Sequence, residues 1–102
     1  MRAKDLLKLI PNHVRVTHKV TYEVLWCDGF FKDGKQLGEC DGVSKQIKIS
    51  KNQSATEQYK TYLHELLHAI SFETEGLNLT ERQVMALEAG LYRVYRLNDQ
   101  LK

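Results

Sequence analysis

The chain of 102 residues has little of what marks several kinds of protein. It contains one proline and six glycines, so no proline-rich or glycine-rich linker separates two domains. Its two cysteines are too few for a disulfide framework, and their spacing excludes a C-x-x-C zinc site. A chain of this length can bury one modest hydrophobic core. We therefore predict that residues 1–102 form a single domain.

Long apolar runs and a strong charge of one sign are also lacking. The patch from Leu6 to Ile10 is brief and ends at Pro11, so it is neither a secretion signal nor a membrane span. The formal net charge is only +2, which is too mild to indicate nucleic-acid binding. We expect a cytoplasmic protein with no nucleic-acid or membrane partner, in which Cys27 and Cys40 are free thiols.

The most informative motif is the run from His64 to His68, which reads HELLH. On an α-helix, residues four apart lie on one face, so the imidazoles of His64 and His68 can bind a single tetrahedral metal ion. Zinc is the expected ion. Glu65 lies close enough to reach a water on that ion without binding the metal itself. The motif therefore predicts a Lewis acid with a general base, Glu65, beside it.

The apolar residues around this motif predict a helix with two different sides. Between Tyr59 and Phe72, apolar side chains recur at helical spacing and would face a core, whereas His64, Glu65 and His68 fall on the opposite side. This arrangement predicts a helix that separates a core from a cleft. The alternative is that the motif is a solvated surface. The apolar positions are Tyr59, Tyr62, Leu63, Leu66, Leu67, Ala69 and Ile70.

A second helix, predicted from Thr80 to Leu97, supplies a candidate third ligand. Thr80 and Gln83 have the spacing of a capping box. Glu88 lies within an apolar stripe, where an unpaired carboxylate costs several kcal/mol. We therefore predict that His64, His68 and Glu88 bind zinc. The alternatives are a salt bridge from Glu88 to an arginine, and a different ligand. The stripe is Val84, Met85, Leu87, Leu91, Tyr92, Val94 and Tyr95; the arginines are Arg82 and Arg93; the rival ligands are Glu73 and Glu75.

The glutamate twenty residues after the second histidine, on the next helix, resembles the pattern of the gluzincin group of zinc peptidases. More closely, the chain resembles minimal single-domain HExxH proteins, among them the metallopeptidases of phages and other mobile elements and the minigluzincins. The resemblance covers Leu37 to Asn98. The larger gluzincins have an Asn before the ligand glutamate and an Asp four residues after it, where this chain has Leu87 and Tyr92.

The resemblance implies hydrolysis of a peptide bond by metal-activated water, with Glu65 as the base. It also implies that the strand before the HELLH helix, Gln46–Ser50, is a sheet edge that binds an extended peptide by β-augmentation. The reaction needs a donor for the oxyanion. Tyr92, one turn after Glu88, is our candidate, with Tyr95 behind it.

The remaining segments predict an α+β fold. Its parts are an N-terminal helix, a sheet of about three strands, and two packed helices with the metal site between them. In chain order the segments are a short helix over Arg2–Leu9, one long or two short strands over His13–Trp26, a hairpin turn at Lys32–Lys35, a glycine-punctuated turn at Leu37–Gly42, and a strand over Gln46–Ser50. His13 and His18 are expected at the surface.

Three functions fit the sequence. The leading hypothesis is a zinc-dependent peptidase. The second is a zinc-binding structural or protein-interaction domain without proteolysis. The third is a metal-free interaction domain in which HELLH has no chemical role.

Overall fold

Alternating apolar and polar residues build a four-stranded mixed sheet. We describe it from a computed structural model, which describes residues 3–29 and 37–99. The spatial order is β1-β2-β4-β3. Strands β1 and β2 are antiparallel, β2 and β4 are parallel, and β3 and β4 are antiparallel. The strands are β1 (His13–Arg15), β2 (Thr21–Cys27), β3 (Gly38–Asp41) and β4 (Gln46–Ser50).

The helices complete the α+β fold that the sequence predicted. A 3₁₀ helix spans Ala3–Leu9 where an amphipathic helix was expected. Helix α1 spans Ala55–Glu73 and helix α2 spans Glu81–Asp99. Within the described residues the sheet has four strands, close to the predicted number of about three. Helix α1 packs on β3, β4, the 3₁₀ helix and α2, so it is the central element of the fold.

Two predictions about the strands are wrong and two are confirmed. His13–Trp26 does form two short strands. The segment predicted as a turn, Leu37–Gly42, contains strand β3. Gln46–Ser50 is a strand but not a sheet edge, because β4 pairs with β2 on one side and β3 on the other. The predicted turn at Lys32–Lys35 lies outside the described residues.

The core lies between the sheet and α1. Tyr22 and Val24 of β2, with Ile47 and Ile49 of β4, are at most 4 % exposed. Because side chains alternate along a strand, these four residues share one face of the sheet. Each such burial stabilises the fold by about 1.5–3 kcal/mol. Leu6 of the 3₁₀ helix joins the same cluster.

Helix α1 begins at a side chain that caps it and ends at a residue with extended backbone. Ser54 accepts a hydrogen bond from the backbone N–H of Glu57 at 3.2 Å, as an N-cap residue does. Thr74 is the C-cap residue, in an extended conformation. Gly76 lies two residues further on with φ +83°. The predicted apolar stripe is confirmed, with Tyr59, Tyr62, Leu63, Leu67 and Ala69 buried and Leu66 and Ile70 half-buried.

Helix α2 begins with the predicted capping box. The backbone N–H of Gln83 donates to Thr80 Oγ1 at 3.1 Å, and the backbone N–H of Thr80 donates to Gln83 Oε1 at 2.9 Å. Its apolar stripe is less buried than predicted, because α2 packs on α1 and only the side toward α1 is covered. Val84 is buried, whereas Met85, Leu87, Leu91 and Val94 are exposed.

The described helices also bear on the membrane question. Among residues 3–29 and 37–99, no helix combines the length and the apolar character that a membrane crossing requires.

Gly38 sets the distance between β3 and α1. A Cβ atom at this position would lie 3.0 Å from Glu65 Oε2 and would clash with the methyl group of Thr61. At Gly90, within α2, the nearest atom to an added Cβ is Arg93 Nη2 at 3.8 Å. Of these two glycines, Gly38 is needed for close packing and Gly90 is not.

We expect Gly38→Ala to lower the free energy of unfolding by about 1–3 kcal/mol, because the added methyl overpacks the contact with α1. Gly90→Ala, the matched control, should raise it by about 1 kcal/mol through helix propensity. Urea unfolding measures both. Adding Thr61→Ser, which removes the clashing methyl, should recover part of the Gly38→Ala loss. A neutral Gly38→Ala variant would contradict this account of the packing.

Candidate metal centre

The two histidines of the HELLH motif lie side by side on α1, as their spacing predicted. The ring centroids of His64 and His68 are 5.0 Å apart. Both side chains are half-buried. Apolar residues of the same helix hold it against the sheet, so the imidazoles project from a fixed support.

A carboxylate at the start of α2 contacts both rings. Glu81 Oε1 lies 2.5 Å from His64 Nε2, and Glu81 Oε2 lies 3.0 Å from His68 Nε2. Ligand atoms around a tetrahedral zinc ion are roughly 3.3 Å apart. A small outward movement of Glu81, whose side chain is 61 % exposed, would therefore open room for an ion.

The donor set fits a divalent metal such as zinc. Two imidazole nitrogens and one carboxylate are ligands that zinc accepts, and three protein ligands leave a fourth position open. One ligand atom from each of His64, His68 and Glu81 lies within 4.8 Å of the others. Within residues 3–29 and 37–99, no other set of three His, Cys, Asp or Glu side chains converges in this way.

The predicted third ligand, Glu88, lies on the other side of the His64 ring. Its Oε1 is 3.0 Å from His64 Nδ1, and it does not belong to the converging set. Across the described residues, its ion-pair partner is His64 rather than Arg82 or Arg93. The cost of burying an unpaired carboxylate therefore identified a side chain that does contact His64. Its role as a metal ligand stays a prediction.

Glu81 is the residue that sequence reasoning missed. It precedes Glu88 by seven residues, which is two helical turns, so both carboxylates lie on one face of α2. The connection between Glu73 and Glu81 is short and brings the start of α2 beside the end of α1. Two features of the sequence could have identified Glu81: it shares a helix face with Glu88, and it follows a short connection from the HELLH helix.

The rival ligands Glu73 and Glu75 lie elsewhere. Glu73 accepts a hydrogen bond from the Tyr22 hydroxyl at 2.7 Å and forms an ion pair with Lys45. The hydrogen bond from Lys45, followed by that from Tyr22, holds the pKa of Glu73 below its ordinary value. Glu75 is exposed in the connection. Neither belongs to the converging set.

His64 lies between two carboxylates, which favour its protonated form. Both of its ring nitrogens face carboxylate oxygens, which accept hydrogen bonds and do not donate them. Burial alone would lower the pKa of His64, but the hydrogen bond with Glu88 and the charges of Glu65 and Glu81 raise it overall. A metal binding at Nε2 would displace the proton there.

Glu65 is buried beside the converging side chains. It is 6 % exposed, and burial raises its pKa to about 7, although the neighbouring His64 acts in the opposite direction. A carboxylate with a pKa near neutrality is suited to accept and return a proton. The role of Glu65 as a general base stays a prediction, which this burial and raised pKa support.

These side chains line a cleft of about 910 Å³ between β3 and the two helices. Its carboxyl groups outnumber its one lysine although the whole chain carries a net positive charge, so negative potential is concentrated there and favours a cation. Burial raises the pKa of Cys40 in this wall to about 12, which favours the neutral thiol over the thiolate at neutral pH. The charged lining residues are Glu39, Asp41, Glu57, Lys60, Glu65, Glu81 and Glu88.

The other predicted site residues are not brought into the cleft. The ring of Tyr92 lies 6.3 Å from that of Tyr59, and its hydroxyl accepts a hydrogen bond from Arg96 at 3.4 Å. Tyr92 is not among the residues that line the cleft. His13 and His18 are exposed, which confirms their predicted surface position, and they do not line the cleft.

Comparisons with protein-family models, with curated proteins and with solved structures gave no match for this chain. No family or related structure therefore assigns a chemistry to the cleft.

The raised pKa of Glu65 predicts how stability depends on pH without metal. Because the folded state favours the protonated carboxyl, its stability is fully present below the ordinary pKa of 4.5 and is lost as pH rises through about 7. In chelator-treated protein, Glu65→Gln should abolish this loss. The free energies of unfolding of wild type and variant, measured in urea at pH 5 and pH 8, should diverge by about 3 kcal/mol. Parallel pH profiles would contradict the burial of Glu65 as an ionisable group.

Proposed function

We propose that this protein is a zinc-dependent, peptidase-like hydrolase. One observation carries the proposal. Two imidazole nitrogens of α1 and a carboxylate of α2 converge at the mouth of a cleft, and a buried glutamate with a near-neutral pKa lies beside them. This combination supports hydrolysis by activated water.

The chain's own residues account for the proton transfers of such a reaction. Zinc held by His64, His68 and a carboxylate of α2 would polarise a peptide carbonyl and lower the pKa of a water toward about 7. Glu65 accepts the water proton on its carboxylate and returns it to the leaving amine. Tyr92 as the oxyanion donor stays a prediction, and its position against Tyr59 gives it no support.

The substrate in this proposal is a peptide bound along β3. Among the strands that the structure describes, β3 is outermost beside β4, and its residues Gly38–Asp41 line the cleft. An extended peptide can pair with a free strand edge through main-chain hydrogen bonds. The paired strand Gln46–Ser50 offers no such edge, so β3 takes the role that was expected of β4.

The proposal keeps the resemblance to minimal gluzincins with a different ligand spacing. Glu81 follows His68 by thirteen residues, whereas Glu88 follows it by twenty. The HELLH helix, the next helix and the carboxylate between them support the resemblance. The two free thiols, Cys27 and Cys40, fit the reducing cytoplasm that we propose as its location.

A zinc-binding domain without proteolysis is the second candidate. The observation that favours this candidate is the limited packing of α2 on the rest of the fold. This helix packs on α1, and most of its apolar stripe is exposed. An ion bound by His64, His68 and Glu81 would link the two helices and stabilise the pair.

Zinc content and peptide cleavage test both proposals. Purified wild-type protein should contain about one zinc ion per chain, and His64→Ala and His68→Ala should lose it because each removes a ligand. His13→Ala and His18→Ala are matched controls that should retain it. Metal analysis after dialysis gives the stoichiometry. A wild-type protein without zinc would overturn both candidates.

The catalytic step has its own variant. Glu65→Gln should retain zinc and lose peptide cleavage by roughly 10²–10⁴-fold, because only the proton acceptor is removed. The measurement is cleavage of a peptide library, with a chelator-treated sample as the blank. Zinc-loaded wild-type protein that cleaves no peptide would leave the non-proteolytic function, and cleavage by Glu65→Gln would remove Glu65 from the mechanism.

A further inference from the structure

Glu88 contacts the nitrogen of His64 that does not face Glu81. We propose that Glu88 is a positioning residue, which holds the His64 ring through Nδ1 so that Nε2 faces the metal, while Glu81 completes the ligand set. This inference rests on the proposed metal site and assigns different roles to the two carboxylates of α2.

The shape of the imidazole ring separates the two roles. The lone-pair directions of Nδ1 and Nε2 diverge widely. With zinc at an ordinary distance from Nε2 and Glu88 Oε1 at 3.0 Å from Nδ1, the ion and the Glu88 oxygen would be roughly 7 Å apart. A zinc–oxygen bond is about 2.0–2.2 Å long. In this arrangement Glu88 cannot bind the ion that His64 binds through Nε2.

The position of each carboxylate along α2 explains why they differ. Seven residues of helix correspond to a rise of about 10.5 Å, whereas the four residues from His64 to His68 correspond to about 6 Å. Glu81 reaches both Nε2 atoms. Glu88 is two turns further along α2 and contacts His64 only at Nδ1. One face of α2 therefore presents a metal ligand, Glu81, and two turns later a positioning residue, Glu88.

The contact of Glu88 with His64 has the properties that a support requires. A carboxylate on Nδ1 accepts its proton, which leaves the Nε2 lone pair for the metal and increases the basicity of the ligand. The Glu88 and His64 side chains are 23 % and 17 % exposed, so water competes weakly for this hydrogen bond. The Glu81 side chain, at 61 % exposure, is free to move outward and accommodate the ion.

Zinc affinity in four glutamate variants tests the assignment, with His64→Ala as the reference for loss of a ligand. Competition with a chromogenic chelator measures the dissociation constant for each protein. Glu88→Ala should weaken zinc binding by about 10–100-fold, as the loss of a support does. Glu88→Gln keeps a carbonyl acceptor for Nδ1 and should recover part of that loss. Glu81→Ala should weaken binding more than Glu88→Ala, and Glu75→Ala, an exposed glutamate of the connection, should have no effect.

A second measurement uses the wild-type protein and needs no variant. In zinc-loaded protein labelled with ¹⁵N-histidine, long-range ¹H–¹⁵N spectra should show His64 with a proton on Nδ1 and zinc on Nε2. Equal losses for Glu88→Ala, Glu88→Gln and His64→Ala, or zinc on Nδ1 of His64, would overturn the inference and leave the metal site intact. Absence of zinc binding by wild-type protein would overturn both.

Discussion

The pairing of imidazoles on α1 with carboxylates on α2 is the interaction on which the site depends. Helix α1 buries its apolar side against the sheet. The opposite side therefore remains available for the polar side chains that contact α2. His64 lies between Glu81 and Glu88 and contacts both. The positive charge of a protonated His64 would offset part of this negative charge. A divalent cation would do so more completely, because it would be shared by two rings and one carboxylate.

Close packing of β3 on α1 gives this interaction its chemical context. Gly38 allows the strand to approach Glu65 so closely that the carboxyl is almost removed from solvent. The same approach places β3, which pairs only with β4 among the described strands, in the wall of the cleft. One small residue therefore influences two features on which the proposed function rests: the near-neutral pKa of Glu65 and the position of β3 in the wall of the cleft.

Local patterns in the sequence predicted the helices and missed the order of the strands. The spacing of Thr80 and Gln83 identified the capping box of α2, and the apolar periodicity of α1 identified its buried side. Both signals act within a few residues. The position of β4 between β2 and β3 depends on pairing between distant segments, which leaves no local signal. The stripe on α2 has the pattern of a buried face, although packing on α1 covers only one side of the helix.

The third ligand shows where sequence reasoning about the site reaches its limit. Glu81 and Glu88 lie on the same face of α2, so helical periodicity cannot distinguish them. Burial favoured Glu88, which is the more enclosed of the two. The geometry favours Glu81, because the short connection fixes how far along α1 the second helix begins. Since a metal ligand must meet two imidazoles at once, the length of that connection decides the role more than the polarity of the neighbouring residues does.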